Sequence, residues 1–253
     1  MKGIWAIASN TFREAIRDRI LYLLLVFALL LMGLSQVLSL LTVGGEEKII
    51  KDLGLASISL FGVLTAIFIG VALVSKEIER RTIYTIVSKP IHRHEFLLGK
   101  YFGLALTLFV NTSVMTLWFY LILLLKGFAD ARLLLAILLI FLELLLVTAF
   151  AILFSSFSTP ILSTLFSLAL YLVGHLTWSL ALLEERVGPS ARALCRVLSW
   201  TLPNLEIFDI KGEVVHGAPV SAQIVLWAVV YLLGYGGAVL SVACLVLSRR
   251  DFN

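Results

Sequence analysis

The sequence predicts an all-α integral membrane protein, six transmembrane helices preceded by an amphipathic helix lying in the interface. Three observations carry that prediction. Hydrophobic residues make up 60% of the 253 residues and charged residues only 14%, against about 25% charged in soluble domains; mean hydropathy is +1.04. Six mostly apolar runs, about 20–42, 55–75, 101–125, 133–154, 161–183 and 222–248, match the roughly 20 residues a helix needs to cross a hydrocarbon core. Lipid offers no partner to loose backbone N–H and C=O groups, so these runs must be helices rather than open strands. So few charges cannot clothe this much apolar surface in water. That excludes a soluble enzyme, a disordered tail and a nucleic-acid module, and it makes the net charge of +4 a matter of loop orientation.

The first element, residues 1–19, places Ile4, Trp5, Ala8, Phe12, Ala15 and Ile16 at helical spacing, with Lys2, Arg13, Glu14, Arg17 and Asp18 mostly opposite. A cleaved signal peptide fits poorly, because the apolar stretch starts late, is too long and lacks a small-residue cleavage site. The chain reads as one transmembrane domain over 1–253. The break between the fourth and fifth spans falls at SSFSTP, residues 155–160, where Pro160 and the Ser/Thr cluster mark a tight turn.

Orientation follows from Lys and Arg. Lys2, Arg13, Arg17 and Arg19, the six between Lys76 and Lys100, and Arg249 and Arg250 put twelve on one side. The short loops of the other side hold Lys48, Lys51, Lys126 and Arg132. The positive-inside rule then makes both termini cytoplasmic. Trp118, Trp178 and Trp227 fall toward the outer ends of their spans, as interface anchors do.

The motifs of catalysis are missing. There is no GxxxxGK[ST], HExxH or GxSxG, and Cys195 and Cys244 make neither a disulfide framework nor a zinc site. His92 and His94 stand at alternate positions, which do not share a helix face. No catalytic, cofactor-binding or metal-ligating residue is assigned. The polar segment 76–100, KEIERRTIYTIVSKPIHRHEFLLGK, is too long for a connector and too charged for lipid. It reads either as a charged anchor or as a short docking helix for a partner's groove.

The order Glu77-x-Glu79-Arg80-Arg81-Thr82-x-Tyr84, then Ser88-Lys89-Pro90-Ile91-x-Arg93-x-Glu95, then Leu98-Gly99-Lys100 resembles the signature of type-2 ABC exporter permeases. In that family the stretch between spans 2 and 3 reads roughly Glu-Arg-x-x-Gly-Thr, a short apolar helix, then Pro-[Val/Ile]-x-Arg-x-Glu and Gly-Lys. Arg81 departs from it, standing where a Gly is commoner. The likeness extends to the amphipathic N-terminal helix, the six spans and the long segment 184–221 before the last span. The nearest branch is similar to permeases of multicopper-enzyme maturation, including the nitrous-oxide-reductase accessory permease. Segment 184–221 nevertheless offers little Met, Cys or His for copper.

The resemblance implies a type-2 ABC exporter architecture in a prokaryotic inner membrane. Two permease chains, identical or diverged, would pair with two cytoplasmic ABC ATPase subunits that carry the ATP and magnesium. Glu77, Glu79, Arg80, Arg81, Thr82 and Tyr84 would make the ATPase contacts. Two other readings are a secondary transporter, proton-coupled through Glu143 and His175, and a membrane scaffold or maturation factor.

Glu143 and His175 are the ionisable residues deep in the apolar runs, about 15 and 16 residues from the turn near 158–159. At 1.5 Å per residue they share a depth on antiparallel neighbours and are placed to pair. The pair could fix spans 4 and 5, line a substrate or proton path, or leave Glu143 snorkelling outward. Asn111 and Thr112 read as interhelical hydrogen-bonders. Gly62, Ala66 and Gly70 form a small-residue stripe in span 2, and Gly234, Gly237, Ala238 and Ser241 form another in span 6. Both suit intrachain packing, with a dimer seam as the other use. Segment 184–221 is expected to form short interfacial or re-entrant helices capping one end of the bundle, with Cys195 a small buried hydrophobe.

Overall fold

The computed structural model describes residues 2–40, 45–79, 93–176, 202–218 and 220–249. Its helices are α1 (Lys2–Ile16), α2 (Arg19–Ser39), α3 (Glu46–Glu79), α4 (Arg93–Lys126), α5 (Arg132–Phe157) and α6 (Pro160–His175). A 3-10 turn (Leu205–Phe208) and α7 (Lys211–Val215) follow. The last span is α8 (Ala222–Tyr231) and α9 (Gly237–Arg249), joined by a π-helical turn, Leu232–Gly236. Among the described residues, five stretches are long and apolar enough to cross a membrane: Arg19–Ser39, Glu46–Lys76, His94–Lys126, Arg132–Phe157 and Gln223–Ser248.

Local chemistry sets the ends. Asp18, which reads as part of the polar face of α1, instead caps α2, its carboxylate accepting from the Ile20 N–H at 2.8 Å. Gly127 closes α4 with φ +76, and the Phe128 N–H returns to the Leu123 carbonyl at 2.9 Å, a Schellman closure. Between α5 and α6, Ser158 and Thr159 are extended and Pro160 opens α6, where its missing N–H costs nothing.

Two helices run beyond their apolar stretches. α3 starts at Glu46, nine residues before the expected span, because Ile50 is fully buried and Lys51 pairs with Glu47 one turn away at 2.6 Å. α4 starts at Arg93 rather than near 101, which takes the tail of the charged segment into a helix. α6 differs in the other direction. It ends at His175 with the Leu176 N–H turned to the Val173 carbonyl, so its 16 residues reach only about 24 Å. Residues 177–183, the remainder of the expected span, lie outside the described residues.

The core forms around α5, of whose 26 residues 17 are buried. Gly62 of α3 brings that helix against it, since a Cβ there would stand 2.7 Å from Leu144, and one at Gly70 would touch Ala151 at 3.5 Å. The stripe in span 2 is therefore an intrachain contact. The stripe in span 6 faces outward: Gly234 and Gly237 have nothing within 4 Å of a built Cβ. Many hydroxyls inside apolar helices are satisfied one turn back, as in Thr65 to Phe61 (2.7 Å), Thr107 to Gly103 (2.9 Å) and Thr148 to Leu144 (2.7 Å), whereas the Thr112 hydroxyl, expected to bond between helices, has no hydrogen-bond partner. Asn111 reaches Thr65 across the α4–α3 contact at 3.5 Å.

Connectivity places α1, the α5–α6 turn and the end of α9 at one end of the bundle. The short α6 leaves room at the opposite end. Residues 202–215 fill it as a cap, with Leu205, Phe208, Ile210 and Val214 buried against the bundle. The Asn204 N–H donates to the Tyr231 hydroxyl at 2.8 Å, and Gly174 admits Leu205, whose Cδ1 would stand 2.7 Å from a Cβ there. The outer part of the expected cap, including Cys195 and Trp200, lies outside the described residues, as does Trp178 of the expected fifth span.

Gly54 tests this packing. A Cβ there would run into the Phe119 ring, itself 1% exposed. Gly54→Ala should cost about 1–3 kcal/mol and lower the thermal midpoint in detergent. Gly33→Ala, with open space around its Cβ position, should leave the midpoint unchanged or slightly raised.

Candidate functional site

At the α1 end, two glycines one helical turn apart decide the geometry. Gly99 and Gly103 lie on one face of α4, and α1 packs directly on them. A Cβ at Gly99 would stand 2.7 Å from the Ile7 Cβ and 3.0 Å from the Ile4 carbonyl oxygen. A Cβ at Gly103 would stand 2.6 Å from the Ala8 carbonyl oxygen and from the Thr11 Cβ. The contacting face of α1 is small in the same way: Ala8, Thr11 and Ala15 are buried, while Trp5 is 71% exposed. Periodicity assigns Ala8 and Ala15 to an apolar face shared with Trp5. The structure splits that face, with the small residues against protein and the tryptophan pointing away.

α1 also holds the end of α3. Lys76 Nζ meets Glu14 Oε1 at 2.7 Å. Both side chains are partly exposed, so this bridge contributes at most about 1 kcal/mol; the glycine-mediated packing does more. Lys100, next to Gly99, is 1% exposed, with Nζ 6.0 Å from the centre of the Phe96 ring. One short helix therefore grips the last turns of α3 and the first turns of α4, the two ends that bracket residues 80–92. Glu77 and Glu79 belong to the last turn of α3. Arg80, Arg81, Thr82 and Tyr84 lie outside the described residues.

A second concentration of polar groups lies toward the cap. His175 Nε2 stands 3.4 Å from Glu143 Oε1, and Glu143 is 1% exposed. The distance is that of an ion pair, but the angles make no hydrogen bond, and neither Glu143 oxygen has a hydrogen-bond partner. The other imidazole nitrogen, Nδ1, lies 3.2 Å from the Tyr171 carbonyl. Tyr171 lies against the imidazole, centroids 4.7 Å apart and planes tilted by 60°. From the cap, Lys211 Nζ donates to Ser59 Oγ of α3 at 3.3 Å and pairs with Asp209 at 3.3 Å. The cap is thus tied to α3 through Lys211 and to α8 through the Asn204–Tyr231 contact, and to α6 by the apolar seat of Leu205 on Gly174.

Sequence reasoning missed the pairing of Glu14 with Lys76 and of Ser59 with Lys211, whose partners lie 62 and 152 residues away, and the contact of Tyr171 with His175 one turn on. For Gly99 and Gly103 a signal existed, because glycines at i and i+4 in an apolar helix mark a close helix contact. Among the described residues no group of three or more His, Cys, Asp or Glu side chains is placed to hold a metal ion.

If α1 is seated by those glycines, Gly103→Val should lift it. Hydrogen exchange across residues 4–16 should then speed up on the order of ten-fold or more, the equivalent of about 1.4 kcal/mol of lost packing. Unchanged protection would show that α1 is held by other contacts.

No curated protein matches the chain at a significant level. The family model described as ABC-2 family transporter protein matches residues 5–247, from the first turn of α1 to the last turns of α9. The match takes in the clamp, all the long apolar helices and the cap, and the chain belongs to the ABC-2 transporter family, the membrane permease component of an ABC transporter.

Proposed function

We propose that this permease is the membrane half of an ATP-driven exporter and that it receives its driving force through residues 76–100. Two copies, identical or paired with a sibling chain, would span a prokaryotic inner membrane above two cytoplasmic ABC ATPase subunits. Those subunits would bind and hydrolyse ATP with magnesium. The observation that carries the reading is the clamp. A force applied to segment 80–92 can enter the membrane only through the end of α3 and the start of α4, and α1 is fastened to both.

The distribution of charge supports the same orientation. The α1 end carries the excess of Lys and Arg, so the positive-inside rule makes it cytoplasmic and the cap extracytoplasmic. Glu77, Glu79, Arg80, Arg81, Thr82 and Tyr84 would make the ATPase contacts, with the arginines matched to carboxylates on the partner. Because α1, α3 and α4 are packed together here, closure of the ATPases would tilt them as one body. α5 sits behind α3 and would pass that tilt toward the cap. Glu143 and His175 have no part in ATPase coupling on this reading.

The test is charge reversal in the docking segment. Arg80→Glu/Arg81→Glu should abolish co-purification of the ATPase, or lower stimulated ATP turnover to the rate of the isolated ATPase, while the permease still inserts and folds. An intact complex with unchanged turnover would overturn the docking assignment.

A further inference from the structure

We propose that Glu143 and His175 form a one-proton site that latches the cap to the bundle, so that opening the cap end exchanges a proton with the solution beyond it. The site lies outside the coupling machinery. Only the naming of the compartment, extracytoplasmic, rests on the orientation given above.

Burial and close approach are what call for a proton between the two groups. The Tyr171 carbonyl is an acceptor only, so the imidazole nitrogen facing it, Nδ1 at 3.2 Å, carries the ring hydrogen. Nε2 is then left without a hydrogen and stands 3.4 Å from Glu143 Oε1. With a bare carboxylate opposite, two acceptors would lie that close at a carboxyl group that is 1% exposed. One proton removes the conflict, either as the carboxylic acid O–H directed at Nε2 or as imidazolium Nε2–H directed at the carboxylate. The pair is neutral overall in both forms. A net charge buried away from water in lipid is costly, so neutrality is the economical state.

The surroundings do not supply a substitute. The charged groups that act on Glu143 are Lys211, Asp209 and Glu206. Lys211 is already engaged by Asp209 and by Ser59, and Glu206 adds only negative charge. α6 presents Tyr171, and α3 presents the Ser59 hydroxyl, which Tyr171 also approaches. α4 presents Tyr101, whose hydroxyl is given to the Leu145 carbonyl at 3.3 Å. α8 presents Tyr231, engaged by the Asn204 N–H.

The mechanical link runs through the next residue. Gly174, beside His175, is the seat of Leu205 in the cap. When the pair gives its proton to water, Glu143 becomes a carboxylate, His175 stays neutral, and the two repel. The end of α6 then loses its hold on α5, and the cap loses its seat. Rebinding a proton from water restores both contacts.

The experiment uses the full chain in phosphatidylcholine nanodiscs, with Cys195→Ser and Cys244→Ser, and spin labels at exposed Gly212 in the cap and exposed Leu125 at the end of α4. Distance distributions are recorded from about pH 5 to about pH 9, which spans the ordinary imidazole range. Wild type should show one closed distance at low pH and a second, open population at high pH, with a one-proton transition. Glu143→Gln should stay closed throughout, because its amide N–H donates to Nε2 as the carboxylic acid would. Gly174→Val should populate the open distance at every pH, which shows that the assay detects opening.

A pH-independent wild type, or a Glu143→Gln chain that titrates like wild type, overturns the proposal. If Glu143→Gln fails to fold, His175→Gln decides. Its transition should vanish or move by at least about one pH unit, the equivalent of about 1.4 kcal/mol. An unmoved midpoint would sink the latch.

Discussion

The close approach of α3 to α5 is the contact on which the remaining architecture depends. Between helices in lipid there is no water to expel, so association rests on van der Waals packing and interhelical hydrogen bonds. Gly62 and Gly70 let the α3 backbone come near enough to α5 for Leu144 and Ala151 to fill the space. With α5 buried on most sides, α6, α8 and α9 have a surface to pack on, and the cap has a floor. Replacing those glycines by larger residues would separate the two helices and loosen every contact arranged around α5.

The same device is used at the α1 end for a different result. Gly99 and Gly103 bring α1 onto α4 as closely as Gly62 brings α3 onto α5. α1 is nevertheless only 15 residues long and carries Lys2, Arg13 and Glu14, so it stays at the boundary instead of entering the core. Its position makes it a bridge. The Lys76–Glu14 contact joins it to α3, the glycine contacts join it to α4, and motion of the chain between those helices must move all three. The cap end is built on the opposite rule, with few close backbone contacts and a buried polar layer. Polar layers of this kind are specific while satisfied and unstable once a partner is lost.

Several features could be read from residues alone because they depend on local periodicity and local chemistry. The apolar runs that become α2, α3, α4, α5 and the last span are of this kind. So are the turn at Ser158–Pro160, where proline and hydroxyl residues end one helix and start another, and the juxtaposition in depth of Glu143 and His175, which follows from counting outward from that turn. The helix ends were less legible. α3 extends to Glu46 because Lys51 finds Glu47 one turn away and Asp130, 3.9 Å distant, in the loop before α5. The second of these cannot be inferred from the immediate neighbours. Asp18 carries a cap signal that its place among the charges of the N-terminal segment obscures.

By itself the sequence determined that the chain lives in lipid, where its crossings lie and which end gathers positive charge. These are properties of composition and of spacing within one helix, and solvation by lipid or water fixes them before any helix meets another. Only the tertiary structure decided which face of α1 meets protein, that α6 stops at His175, and that Lys211, Ser59 and Tyr171 gather around a buried carboxyl group and its imidazole neighbour. Each of these depends on which side chains approach across gaps of tens to hundreds of residues. Steric fit and electrostatic balance between helices settle that, and neither is written in the period of any single one.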